Sequence, residues 1–137
     1  MRWYRPELTF DLERALAAEG SPPLLSLINL SLAHVLVVAL PEEAFFRGYL
    51  QTALDDRYGS KLTIVGLQLS TGLLISSLIF ALGHLTTTPQ IGRLAVFFPS
   101  LLFGLLRQKT GGIGASVLLH AQCNIFAALL GQGYGLY

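Results

Sequence analysis

The chain has little charge, and that charge is unevenly placed. Asp, Glu, Lys and Arg make up 12% of its 137 residues, roughly half the share found in soluble domains. No acid follows Asp56, and no charge of either sign follows Lys109. The net charge of +1 offers no electrostatic case for nucleic acid. Cysteine is nearly absent: Cys123 stands alone, which excludes an internal disulfide framework. The first twenty residues mix charges and lack an apolar core, so they do not form a cleavable signal peptide. Neither an internal repeat nor a low-complexity tract is present.

What the chain does have is apolar sequence. Hydrophobic residues reach 53%, the mean hydropathy is +0.59, and four apolar blocks run over Gly20–Pro41, Leu62–Gly92, Leu94–Leu106 and Thr110–Tyr137. A stretch of about 18 such residues is long enough to cross a bilayer. Three blocks exceed that length. The third block, which carries Pro99, reaches it only if Arg93 and Arg107 snorkel outward from its ends. The fold class expected is therefore all-α: a polytopic membrane helical bundle of about four transmembrane segments. They are placed near residues 24–57, 62–84, 91–107 and 112–131. The first is one long helix running through Pro41, because no turn chemistry occurs before Tyr58-Gly59-Ser60. Gly111, Gly112 and Gly114 mark the last turn.

Residues 1–23 form a separate amino-terminal segment ahead of a membrane core at 24–137. Pro6 suits a first helical position, Leu8, Leu12 and Leu16 recur every four residues, and Trp3 and Tyr4 favour the membrane interface. The expectation is a short helix lying on the bilayer.

Within the apolar segments the polar residues carry the information. The stretch "LPEEAFFRGYL" places Glu42, Glu43 and Arg47 inside the first segment. A charged residue at a helix centre costs about 2.5 to 3.5 kcal/mol by insertion scales. These three must face protein or a wet cavity. Glu43 and Arg47 stand four apart, acid first, which is the favourable order for a helical ion pair. Glu42 is rotated by about 100° from Glu43 and lacks that partner. An unpaired, desolvated carboxylate gains the basicity that a general base needs. Glu42 is thus the candidate base, and Glu43–Arg47 the scaffold. Phe80 and His84 in "FALGHL", and His120 and Asn124 in "LLHAQCN", are also four apart and share helix faces. Together these side chains make the inventory of a water-activating site with an oxyanion hole. His34 lies about 80° off the Glu42 face. Cys123 is read as a buried small hydrophobe, and Gln68, Ser76, Ser77 and Ser116 as contacts between helices.

Three stretches, "PEEAFFRGYL", "FALGHL" and "RQKTGGIGASVLLHAQCN", taken together resemble the CAAX prenyl protease and bacteriocin-processing family of intramembrane glutamate proteases. That family's pattern is EExxxR, FxxxH and HxxxN in this order, and here it covers residues 41 to 124. The resemblance implies peptide-bond hydrolysis by a glutamate-activated water with no cofactor and no obligatory metal. It assigns Glu42 as base, Glu43 and Arg47 as its supporting pair, and His84 as a second water-positioning residue. His120 and Asn124 become the oxyanion stabilisers. The implied partners are a membrane-associated peptide or protein substrate and the lipid bilayer, with no nucleic acid. The implied location is a bacterial cytoplasmic (inner) membrane.

Two rivals follow from the same residues. Glu42, Glu43, His84 and His120 offer zinc ligands, but no two histidines share a helix at ligand spacing. A non-enzymatic protein, such as an immunity factor or a transporter with a Glu-Arg-His relay, needs the titratable groups but has no use for Asn124. One geometric difficulty stands against the hydrolase. Measured from a shared turn near 58 to 61, Glu42 lies about 22 Å up its helix and His84 about 33 Å up the next.

Overall fold

The computed structural model describes residues 9–16, 22–59, 61–64, 67–87 and 89–136. A short helix α1 (Leu12–Leu16) precedes the long helix α2 (Pro23–Tyr58), which runs through Pro41 without a break. A two-stranded hairpin follows, β1 (Lys61–Ile64) and β2 (Leu67–Ser70). Then come α3 (Thr71–Thr87), α4 (Ile91–Thr110), whose first turns are 3₁₀, and α5 (Gly114–Gly133). Gly59 and Gly111 terminate α2 and α4 at φ 58° and 73°. Glycine reaches this left-handed conformation without steric cost, and each amide turns back to a carbonyl of the last helical turn.

The architecture is the expected all-α membrane bundle, with one correction. The segment placed at 62–84 is helical only from Thr71, because residues 61–64 and 67–70 pair as antiparallel strands in the register Lys61↔Ser70 to Ile64↔Leu67. Gln68, expected as a contact between helices, therefore lies on β2 and is exposed. The physical reason is local. Leu62, Ile64, Leu67 and Leu69 alternate with polar Thr63 and Gln68, and the segment is rich in β-branched residues. Tertiary bonds then fix where α3 starts. Ser70 Oγ accepts from the Leu73 amide at 3.1 Å and from Gln108 Nε2 at 2.7 Å. The Gly72 amide donates to Asp55 Oδ1 at 3.0 Å.

Among the described residues three helices, α2, α4 and α5, are long and apolar enough to cross a membrane, whereas α3 has 17 residues. The third apolar block thus gains length from its 3₁₀ start, while the second loses length to the hairpin. Helix α3 packs on α2 and α4, and α5 on α2 and α4. The bundle is polar inside and apolar outside. Its buried described residues include ten polar or charged side chains against eight apolar ones, while Val37, Phe98, Leu118 and Phe126 are more than half exposed. Such a surface suits lipid rather than water. Near the other end, Phe10 packs edge-on against Tyr134, and the Asp11 amide donates to the Gly133 carbonyl. Helix α1 is thereby tied to the end of α5. Trp3, Tyr4 and Pro6, which carried the expectation of an interfacial segment, lie outside the described residues.

Close approach of α2, α3 and α4 depends on Gly104. A side chain there would overlap Leu73 and the Gln51 amide oxygen, and its carbonyl accepts from Gln51 Nε2 at 3.3 Å. Gly104→Val should therefore destabilise the bundle by about 1 to 3 kcal/mol through overpacking. Gly112→Ala, where the added carbon meets nothing within 4 Å, should leave thermal stability in detergent unchanged.

Candidate active site

Ala39, Glu43, Arg47 and Gln51 of α2 are all fully buried, at a strict interval of four residues. An α-helix drifts by about 40° every four residues, so this repeat would wind off the core face within three steps. Two stretches, Ala33–Ala39 and Ala44–Gln51, are π-helical instead. A π turn takes more residues than an α turn and offsets that drift. The helix therefore keeps one polar seam pointing inward past Pro41.

The acid and base of this seam are tightly held. Arg47 Nη1 lies 3.1 Å from Glu43 Oε1, with both side chains fully buried. Arg47 Nη2 donates to the Ser100 carbonyl at 3.0 Å and to Ser100 Oγ at 2.5 Å. The guanidinium also lies 4.6 Å from the Phe80 ring centroid and 5.3 Å from that of Phe103, within cation–π range. On its other side, Glu43 Oε1 is 2.9 Å from His120 Nδ1. A carboxylate in an ion pair only accepts, so Nδ1 carries the proton. The His120 ring stacks on Phe103 (4.9 Å, 15°) and meets Phe80 edge-on. Its Nε2 is then the only nitrogen left for chemistry, and it sits 3.8 Å from Glu42 Oε2, beyond direct hydrogen-bond range.

Glu42 is left on a wall. It is half-buried, and with His84, Phe46, Phe80, Gly83 and Thr87 it lines a cavity of about 250 Å³. Its Oε2 is buried and makes no hydrogen bond among the described residues. A second cavity, of about 240 Å³, is lined by His84, His120 and Asn124 among others, and the two share His84 and Phe80. His84 Nδ1 donates to the Phe80 carbonyl at 2.9 Å, which leaves Nε2 of the neutral ring as an acceptor. Glu42, His84, His120 and Asn124 thus meet around two adjoining cavities. The expected mismatch in height disappears with the hairpin. Counted from Thr71, His84 lies about 20 Å along α3, close to the roughly 24 Å that separates Glu42 from Tyr58. Among the described residues, no group of three or more His, Cys, Asp or Glu is arranged to hold a metal ion.

Compared with models of known families, residues 24–126 match type II CAAX prenyl endopeptidase Rce1-like. The chain belongs to this family. No curated protein and no solved structure matches it. Membership identifies a CAAX-protease-like membrane endopeptidase, and the matched stretch contains all six residues singled out above.

In this Rce1-like chain, the contacts that the sequence did not reveal are those made across helices. Ser100 carries no motif, yet it is the main polar anchor of Arg47. Phe80 was noted only for its spacing to His84, yet it touches His84, His120, Arg47 and Phe46. Cys123, expected to be buried, is exposed and borders the second cavity. The outward tilt of its face of α5 explains this, since His120 and Ala121 occupy the inward one. His34 lines neither cavity, and its buried Nδ1 has no hydrogen-bond partner among the described residues. Of the serines, Ser116 joins two helices through its bond to the Phe103 carbonyl at 2.6 Å, whereas Ser76 bonds within α3.

Mutating the two ends of the Arg47 clamp should have graded effects. Glu43→Gln leaves a buried guanidinium without countercharge, at a cost of about 3 to 5 kcal/mol, so membrane abundance should collapse. Ser100→Ala keeps the carbonyl acceptor and should cost about 1.5 to 3 kcal/mol. Thermal melts and expression levels in detergent check the order.

Proposed function

We propose that this Rce1-like protein hydrolyses a peptide bond in a membrane-associated peptide or protein, using a water activated by Glu42. The observation that supports this most is the inequality of the two glutamates. Glu43 is fully buried, ion-paired to Arg47 and bonded by His120. Glu42 is half-exposed, shares a cavity wall with His84 and, among the described residues, has no charged group nearer than His120 Nε2 at 3.8 Å. In this reading, the water donates one proton to Glu42 and its second hydrogen bond to the acceptor Nε2 of His84. Hydroxide attacks the carbonyl, the oxyanion is held from the Asn124 side, and Glu42 passes its proton to the leaving amine.

Geometry gives His120 its role. Glu43 Oε1 accepts from Nδ1 and so orients the ring, which leaves Nε2 facing the site beside Asn124, on the side where an oxyanion would be held. Glu43 then acts by positioning His120. Outside this core, Leu12–Leu16 fits an amino-terminal segment at the membrane surface, with residues 24–137 as the protease unit.

Glu42→Gln keeps shape but removes the base. Turnover per molecule should fall by about 10² to 10⁴ with abundance unchanged, measured on protein reconstituted in detergent or nanodiscs. If Glu42→Gln remains active while Glu43→Gln is abundant and dead, the two roles are reversed. Full activity in the presence of a strong chelator is expected, and its loss would favour the metal-dependent rival. Should Glu42→Gln leave the cellular phenotype intact, the non-enzymatic reading takes over.

A further inference from the structure

The bond to Glu43 fixes one point of the His120 ring but not its plane. The ring torsion of a histidine has broad minima, so rotamer preference does not decide where Nε2 points. Packing does. Phe103 of α4, only 2% exposed, lies flat on the imidazole, with centroids 4.9 Å apart and an interplanar angle of 15°. Phe80 meets the same ring edge-on, at 5.6 Å and 76°. Phe103 is itself held at two points. Its carbonyl accepts from Ser116 Oγ at 2.6 Å, one helical turn before His120, and its ring lies 5.3 Å from the Arg47 guanidinium. It also lines the second cavity beside His120 and Asn124.

We propose that Phe103 is a positioning residue for the hydrolysis, setting the direction of His120 Nε2 by stacking on its ring. This rests on the reading of His120 as part of the oxyanion site and adds to it a residue outside all three sequence motifs. The Nδ1 bond to Glu43 acts as a pivot, about which the ring can tilt until Nε2 leaves the Asn124 side. A tilt of about 30° carries Nε2 through about 1 Å, and misplacement of that size costs on the order of 10²-fold in rate. A flat aromatic face opposes the tilt, because the stacked contact is lost as the two planes open. An aliphatic side chain fills much of the same space but presents no plane. The edge-on contact with Phe80 touches the ring without defining its plane. Helix α4 thus acts on the site twice: Ser100 anchors the Arg47 that pairs with Glu43, and Phe103 orients the imidazole that Glu43 holds.

Nitrogen-15 histidine spectra of the full-length protein in nanodiscs test this apart from turnover. The chain has three histidines, and the signals missing in His120→Gln belong to His120. The unmodified protein should give one sharp set for that ring, with the proton on Nδ1. Phe103→Leu should shift or broaden the set, whereas Phe103→Tyr, which keeps the flat face, should retain it. Phe103→Met, a flexible filler, replaces Phe103→Leu if that variant does not fold. Turnover is followed with internally quenched apolar peptides, each variant being assayed below its own melting temperature. The aliphatic variant should lose about 10- to 100-fold in kcat with KM within about twofold, and Phe103→Tyr should return to near the original rate. Ser116→Ala is the structural control. It removes the other tie between Phe103 and α5, so its thermal midpoint should fall while ring signals and kcat hold. Unchanged ring signals in the aliphatic variant overturn the proposal, whatever happens to kcat. So does a loss in Phe103→Tyr or Ser116→Ala equal to that in the aliphatic variant, which makes Phe103 a packing residue only. Ring signals that depend on the Phe103 face, with no peptide cleaved by the unmodified protein, would refute the hydrolase reading and leave the control of the His120 ring standing.

Discussion

The interaction on which the rest of the structure depends is the Glu43–Arg47 ion pair. Both side chains are fully buried in a helix long and apolar enough to cross a membrane, where isolated charges are costly. An ion pair alone is a poor remedy, since desolvation can exceed the attraction unless further hydrogen bonds complete the geometry. Here three are supplied, while Arg47 Nε and Glu43 Oε2 have no hydrogen-bond partner among the described residues. Ser100 of α4 takes one arm of the guanidinium, Phe80 of α3 lies across it, and His120 of α5 bonds the same carboxylate oxygen that faces Arg47. Every other core helix contributes a group to one buried charge pair. The pair therefore sets how the four helices can be rotated against each other.

That arrangement also separates two adjacent and chemically identical side chains. Glu43 is consumed by structure, and Glu42, one residue earlier on the same helix, is turned to a cavity wall beside His84. The π-helical turns on either side of Pro41 serve the same end, because they hold a four-residue repeat of buried positions on one face. A regular helix would have carried Gln51 away from α4 and opened the seam at Gly104.

The bundle reverses the usual distribution of polarity. Its interior holds serines, Gln51 and the charge cluster, while its outer surface is apolar. In lipid there is little hydrophobic gain from helix association, so small residues and hydrogen bonds must hold the helices together. Gly72 against Asp55, Gly104 against Gln51 and Ser116 against the Phe103 carbonyl are such contacts. The first two involve no residue that lines either cavity, whereas Phe103 also lines the second.

Much of this could be read in the sequence because it is local. The Glu43–Arg47 pair follows from four-residue spacing and from the cost of charge in lipid, and the membrane bundle follows from the lengths of the apolar runs. The shared faces of Phe80 with His84 and of His120 with Asn124 follow from helical periodicity. What the sequence left open depends on contacts between segments distant along the chain. An apolar run reads alike as helix or strand. The start of α3 at Thr71 is fixed by the bonds of Ser70 to Gln108 and of Gly72 to Asp55 on neighbouring helices, beside the local bond from the Leu73 amide to Ser70. No spacing rule links Ser100 to Arg47, 53 positions away, or His120 to Glu43, 77 positions away. Those pairings are decided by packing, because a buried charge takes whichever polar group the tertiary fold brings within reach.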